Sequence, residues 1–282
     1  MNELDINNPQ LPDFIVPGAD EKKQDEPAKI KVIGVGGGGG NAVNHMYHQG
    51  IGGVSFVLCN TDAQALRNSP VPVKVQLGAK GEGAGNIPEV AKKLAEESAA
   101  EVEALFDDNT RMAFITAGMG GGTGTGAAPV VARIAKEKGV LTVGIVTIPF
   151  LFEGEPKILQ AFAGVEEMRK HVDALLVINN ERLCKIYPDL SWTTAFAKAD
   201  DSLSNAARSI AELVSKDGKI NLDFADVRTT LKDGGAAVIS TGSGEGEHRM
   251  SRAIQNALTS PLLKESDIYG AERVLFNLYF SP

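Results

Sequence analysis

Two glycine runs constrain this chain more than anything else in it. The first, Gly34–Asn41, follows the short β-branched segment Lys29–Val35 and leads into the helix-compatible Ala42–Gln49. The second, Gly118–Gly126, lies between the strand-like Met112–Thr116 and a helix predicted over Ala128–Lys138, with Gly139 as its stop. A strand that enters a glycine turn and leaves as a helix is the building unit of a parallel sheet. The same turn makes an anion site. Without Cβ atoms in the way, backbone N–H groups can wrap phosphate oxygens, and the helix N-terminus favours negative charge.

The strand–helix alternation continues along the chain. Val54–Cys59, Val140–Ile148 and Asp173–Ile178 read as buried strands, and Pro88–Phe106 and 156–171 as helices. The fold class is therefore α/β, a parallel sheet with helices on both faces. Thr193–Ser215 follows as one long helix, with Phe196, Leu203, Ala207, Ile210 and Val214 on one side, ending at Lys216-Asp217-Gly218. Beyond it the elements shorten: a helix near 224–232, a strand over 236–241, a helix near 248–259 and a strand over 273–280. The expected organisation is an acidic disordered arm (1–28), a nucleotide-binding domain (29–192), a central helix (193–216) and a smaller α+β C-terminal domain (217–282). That last domain stops after an edge-like strand and reads as truncated.

Charge and composition remove several function classes. Of the net charge of −8, the first 28 residues contribute −5, seven acids against two lysines, and the remainder only −3. No broad basic face is available for nucleic acid. No run of about eighteen apolar residues occurs, and the N-terminus lacks a basic start with an apolar stretch behind it. Cys59 and Cys184 are too few for a disulfide framework, and Cys59 reads as a small core residue. A cytoplasmic chain is expected.

The first loop alone leaves its ligand open. Gly34, Gly36 and Gly39 fit the dinucleotide fingerprint, and Asp62 lies just past the next strand, where a ribose-binding acid would sit. An NAD(P)-dependent oxidoreductase is the natural reading of that loop. The second loop argues against it. Five glycines in the seven positions 120–126 are costly in folding entropy. Their N–H groups, with the hydroxyls of Thr123 and Thr125, suit a triphosphate. No G-x-x-x-x-G-K-[ST] string is present, so this is not a P-loop.

Gly120-Gly121-Gly122-Thr123-Gly124-Thr125-Gly126 resembles the signature of the tubulin/FtsZ family of GTPases. Further strings of that kind are Ile33–Val43, Asn60–Leu66, Gly118–Ala132, Val146-Thr147 with Phe152-Glu153-Gly154, Asn221–Arg228 and Ser260-Pro261-Leu262-Leu263. The resemblance runs from about residue 29 to the end. It implies a GTPase domain, a long central helix and a C-terminal domain, in a protein that polymerises head to tail and takes part in bacterial cell division at a midcell ring. Carried over by position, Gly37, Gly38, Gly39, Gly40 and Asn41, with Gly122, Thr123 and Gly124, match the phosphate loops. Glu153 matches a ribose-side contact and Lys157 a phosphate contact. Asn180 and Asp200 match the guanine contacts, and Phe196 the residue packed on the base. An aspartate can accept from both guanine N1–H and the 2-amino group, a donor pair that adenine lacks. On sequence alone, Phe196 reads equally as core packing and Asp200 as a solvated helix acid.

By the same resemblance the catalytic residues are Asn221, Asp223 and Asp226, on a loop that enters the nucleotide pocket of the next subunit and orients the attacking water. Read locally, Asp223 is a helix N-cap. GTP and GDP are the implied substrate and product, Mg²⁺ is expected with the triphosphate, and no metal site of the protein's own is assigned. The implied partners are further copies of the chain and division proteins recruited largely through a C-terminal tail that this sequence lacks, with neither nucleic acid nor membrane insertion. Three departures from the family pattern stand out. The loop Gly78–Glu89 is shorter than usual and altered where the terminal phosphate is sensed, Lys157 replaces an arginine, keeping the charge but losing the bidentate fork, and the sequence ends inside the expected C-terminal domain. A GTP-binding scaffold without turnover is the second alternative. His45 and His48 lack the nearby cysteine or carboxylate pattern of a metal site.

Overall fold

The computed structural model describes residues 29–186, 192–215, 223–259 and 270–279. The chain order is β1 (Lys29–Val35), α1 (Gly36–His48), β2 (Val54–Asn60), α2 (Ala63–Arg67), β3 (Val73–Gln76), α3 (Pro88–Glu97), α4 (Ala99–Ala104), β4 (Thr110–Gly118), α5 (Gly122–Glu137) and β5 (Leu141–Ile148). A 3-10 turn (Leu151–Glu153) leads to α6 (Glu155–Arg169), β6 (Ala174–Asn179), α7 (Asn180–Ile186), α8 (Trp192–Ser215), α9 (Phe224–Leu231), β7 (Gly235–Ala237) and α10 (Arg249–Leu258).

The strands form one seven-stranded sheet in the order β3-β2-β1-β4-β5-β6-β7, with every pairing parallel. The period of two along each strand divides the core into two layers. On β4, Ala113, Ile115 and Ala117 face α3–α6, whereas Met112 and Phe114 face α1, α8 and α9. A strand covered on both sides becomes a continuous apolar run, as β5 does with all eight residues buried. Cys59 is fully buried and its thiol is pushed up to about 12, so it packs as a small apolar residue. Lys31, inside β1, is buried too. Its ammonium donates to the Leu105 carbonyl and lies 3.0 Å from Asp108, so the charge does not go unpaired.

Several elements differ from the sequence expectation. The helix expected over Pro88–Phe106 breaks at Ser98, whose hydroxyl accepts from the Gly78 amide at 2.8 Å. The strand expected over 236–241 is only Gly235–Ala237; beyond it Gly242 and Gly244 press against the backbone of α10. Arg273–Tyr279 is not a strand. Arg273 instead donates to the carbonyls of Thr229, Thr230 and Lys232 at the C-terminal end of α9. The disordered arm, the stop at Lys216-Asp217-Gly218, Asn221 and the Ser260–Leu263 string lie outside the described residues.

Candidate functional site

All strands are parallel, so every strand ends on the same rim. β1 continues to β2 on one side, and the chain then returns to place β4 on the other. The rim between β1 and β4 is therefore a topological switch point, where open α/β sheets bind their ligands. Both glycine runs lie there. They are the first turns of α1 and α5 rather than free loops, so two helix N-termini converge on one crevice.

The glycines do two different jobs. Gly36 has φ +74°, and a Cβ on it would sit 2.8 Å from the Gly124 nitrogen. A Cβ on Gly39 would overlap the Thr116 carbonyl, one on Gly124 the Gly118 carbonyl, and one on Gly122 would lie 2.9 Å from the Ile87 nitrogen. These positions are glycine so that two helix starts and two strand ends can touch. Gly37, Gly40 and Gly121 have open space where a side chain would be. They are where a ligand can approach the backbone.

Neighbouring groups brace the crevice. Thr61 Oγ1 lies 2.7 Å from Thr123 Oγ1, and Thr125 Oγ1 accepts from the Gly120 amide at 2.9 Å. Gln160 of α6 donates to the carbonyls of Gly120 (3.0 Å) and Gly121 (3.2 Å). Sequence reasoning passed over Thr61 and Gln160; Gln160 sits mid-helix with no local signal. The short Gly78–Glu89 loop packs at the same place, with the Gly81 carbonyl accepting from Ala63 N–H and the Thr61 carbonyl from Gly83 N–H, both at 3.0 Å. Asp62 does not face the crevice. It caps α2, accepting from the Gln64 and Ala65 amides, which removes the ribose-binding acid of the dinucleotide reading.

A second group of side chains lies further along the same rim. Asn180 follows β6, is 5% exposed, and its Oδ1 has no hydrogen-bond partner. An orphaned buried acceptor is costly unless a ligand or water completes it. Phe196, on the first turns of α8, is 43% exposed. Its edge meets the buried Phe150 ring at 5.2 Å, and Phe150 stacks on Phe152 at 4.8 Å. Phe196 is thus half in the core and half open. One turn on, burial pushes the Asp200 carboxyl up to about 6; His45 opposes that shift and Asp201 adds to it. Glu153 and Lys157 are engaged with each other at 3.4 Å, and Glu153 also accepts from the Phe150 amide at 3.0 Å.

The expected catalytic acids are elsewhere. Asp223 is the N-cap of α9, accepting from the Asp226 amide at 2.9 Å, and both carboxylates are exposed. α9 is fixed by Phe224 and Val227, and the Arg111 guanidinium lies 4.2 Å over the Phe224 ring. Arg111 is at the amino-terminal start of β4. From there to Gly118 is about 23 Å at roughly 3.3 Å per residue. The rim with the glycines and the rim with the acids are opposite edges of the sheet. Among the described residues there is no group of three or more metal-ligating side chains.

The model of the GTPase domain of the Tubulin/FtsZ family matches residues 29–188, the region holding both glycine runs. The chain belongs to the tubulin/FtsZ family. The FtsZ family's C-terminal domain model matches residues 235–281. The chain is 66% identical over 257 residues to the cell division protein FtsZ of Porphyromonas gingivalis, covering 90% of this chain and 56% of that protein. It is 48% identical over 259 residues to FtsZ of Aquifex aeolicus, covering 90% and 70%. The chain thus spans a little over half the length of the first of these relatives. Among solved structures, an empty FtsZ dimer of M. jannaschii superposes with a TM-score of 0.80 at 45% identity, over 85% of this chain and 71% of that one. CetZ1 of Haloferax volcanii, a GDP-bound monomer, does so with 0.70 at 25% identity, over 82% and 74%.

Proposed function

We propose that this chain binds GTP and GDP at the β1/β4 switch point, assembles head to tail, and hydrolyses GTP in a site completed by the next copy. It would do so as a filament-forming component of the bacterial division ring, in the cytoplasm at midcell. The observation that carries the reading is the convergence of two glycine-started helix N-termini on one crevice, with the acids of α9 on the opposite edge of the sheet.

The roles follow from chemistry. The amides of Gly37–Asn41 and Gly122–Gly124 hold phosphate oxygens, aided by two helix N-termini. The half-open Phe196 ring carries the base. Asn180, with an unmet acceptor, and Asp200, as an ionised carboxylate, meet the guanine edge. Mg²⁺ would neutralise phosphate charge, held mainly by phosphate oxygens and water. Asp223 and Asp226, with Asn221, would orient the attacking water from the stacked copy, since phosphoryl transfer depends chiefly on positioning. α8, 24 residues and about 36 Å long, carries the chain from the nucleotide rim to those acids.

The Lys157–Glu153 pair leaves one alternative standing, a chain that binds GTP and assembles without turning it over. Two assays decide. A binding panel of GTP, GDP, ATP and NAD should select the guanine nucleotides, and equal affinity for NAD would overturn the reading. Phosphate release from GTP separates the GTPase from the scaffold.

A further inference from the structure

Asn41, His45 and Gln49 recur every fourth residue along α1 and its C-cap, so they share one side of the helix. That side meets α8 through His45 and Gln49. His45 Nε2 lies 2.8 Å from Asp201 Oδ1 and 2.7 Å from Gln49 Nε2. Gln49 accepts from the Arg208 guanidinium, and Lys198 lies 3.4 Å from the other Asp201 oxygen. Among the described residues, Gln49 and Asp201 are within hydrogen-bond reach of His45 and Asp200 interacts with it electrostatically, while Arg208 and Lys198 stand one contact further out. The buried side chains that the strands place under α1 include Val32, Phe56, Leu58 and Phe114, with Thr116 two residues past Phe114 on the same face.

His45 Nε2 can donate to Asp201 or accept from Gln49, but not both. Donation to a carboxylate is the stronger bond, so the proton belongs on Nε2 facing Asp201. Asp201 is the immediate neighbour of Asp200, and two adjacent carboxylates oppose each other's ionisation. A hydrogen bond donated to Asp201 draws part of its negative charge toward His45 and lessens that opposition. The electrostatics agree, with Asp201 raising the Asp200 carboxyl and His45 lowering it.

We infer that His45 is a positioning and specificity-determining residue for the guanine base: by engaging Asp201 it fixes α8 against α1 and leaves Asp200 as the ionised acceptor. It acts through Asp201 and Asp200 and does not touch the nucleotide. It also ties the helix that starts at the phosphate run to the helix that carries the base contacts. This rests on the base-site reading proposed above. The pair is about one-third exposed on each side, so its contribution to folding is small and its effect belongs in affinity.

Calorimetric titration of GDP and of inorganic pyrophosphate, from about pH 5.5 to about pH 8, tests it on the parent, H45A, D201N and H45A/D201N proteins. H45A should weaken GDP several-fold at about pH 6 and less at neutral pH, moving the acid limb of the binding profile to higher pH, with pyrophosphate affinity unchanged. Adding D201N to H45A should restore most of the loss, because the charge that needed relief is gone. An unaltered GDP affinity and profile in H45A overturns the inference. So does equal loss of GDP and pyrophosphate, which marks a structural role, or a double variant no better than H45A. A D200N protein that binds GDP like the parent overturns the base-site reading itself, and the inference with it.

Discussion

At the carboxyl rim of the sheet, the outward groups are backbone amides of α1 and α5, presented by glycines and braced by Thr61, Thr125 and Gln160. At the amino rim they are carboxylates, with Asp223 and Asp226 exposed on the first turn of α9. One rim offers the positive ends of two helices whose first turns are rich in glycine; the other offers acids on a helix held by Phe224 and Val227. In the proposed function the carboxyl rim would hold the triphosphate and the amino rim of another copy would orient the water. The length of β4 from Arg111 to Gly118, about 23 Å, separates the two rims, so the proposed shared site would need a second copy stacked rim to rim.

The sharpest way to break this comparison is at the packed glycines. A side chain on Gly124 overlaps the Gly118 carbonyl. Gly124→Val should therefore cost more than about 4 kcal/mol and lose the fold, not merely the ligand. Thermal unfolding followed by circular dichroism checks this; a folded Gly124→Val protein with a parental melting temperature would show that the two helix starts do not pack as described. Next in size is the amino rim. Asp226→Ala should bind GTP within about twofold of the parent yet turn it over on the order of 100-fold more slowly. Steady-state phosphate release beside equilibrium binding checks it, and parallel loss of both would place Asp226 with the nucleotide instead.

The base side comes third. Asp200→Asn should weaken GDP by about 2 kcal/mol. Burial raises the Asp200 carboxyl to about 6, so the folded chain holds that proton more tightly than the unfolded chain, whose value is 3.8. Folding stability from this group is present below the unfolded value and is lost as pH rises through about 6. GDP affinity in the parent should fall as pH drops through about 6, where the acceptor protonates. Asp200→Asn should melt higher than the parent near pH 7.5, by about 2 °C. A lower melting temperature there would mean that the ionised carboxylate is stabilised by contacts rather than strained by burial. The smallest effect is expected at Gly37, where a methyl group has open space. Gly37→Ala should leave melting unchanged and weaken GDP several-fold, since only the ligand occupies that space. Unchanged affinity would move the phosphates away from the α1 amides.

The carboxyl rim was legible in the sequence because its signal is local. A β-branched run, a glycine run and a helix are contiguous, and together they reported the parallel sheet that the structure has. The glycines' double duty was not legible. Whether Gly39 faces a phosphate or the Thr116 carbonyl depends on where β4 lies, 77 residues later in the chain. The residues proposed to meet the base were opaque for the same reason. Phe196 and Asp200 look like ordinary members of an amphipathic helix, and only the proximity of Phe150 to the first and of His45 to the second distinguishes them. Arg273–Tyr279 misled because alternating apolar residues imply a strand only where a ladder partner exists, and here Arg273 is drawn to the end of α9.

The shared site is tested most directly by measuring GTP hydrolysis per chain as a function of protein concentration, with sedimentation reporting assembly in the same samples. The account predicts that specific activity rises steeply as copies associate and falls toward zero on dilution, in step with the loss of stacked copies. A dilute, demonstrably monomeric sample that hydrolyses GTP at the full per-chain rate would contradict it.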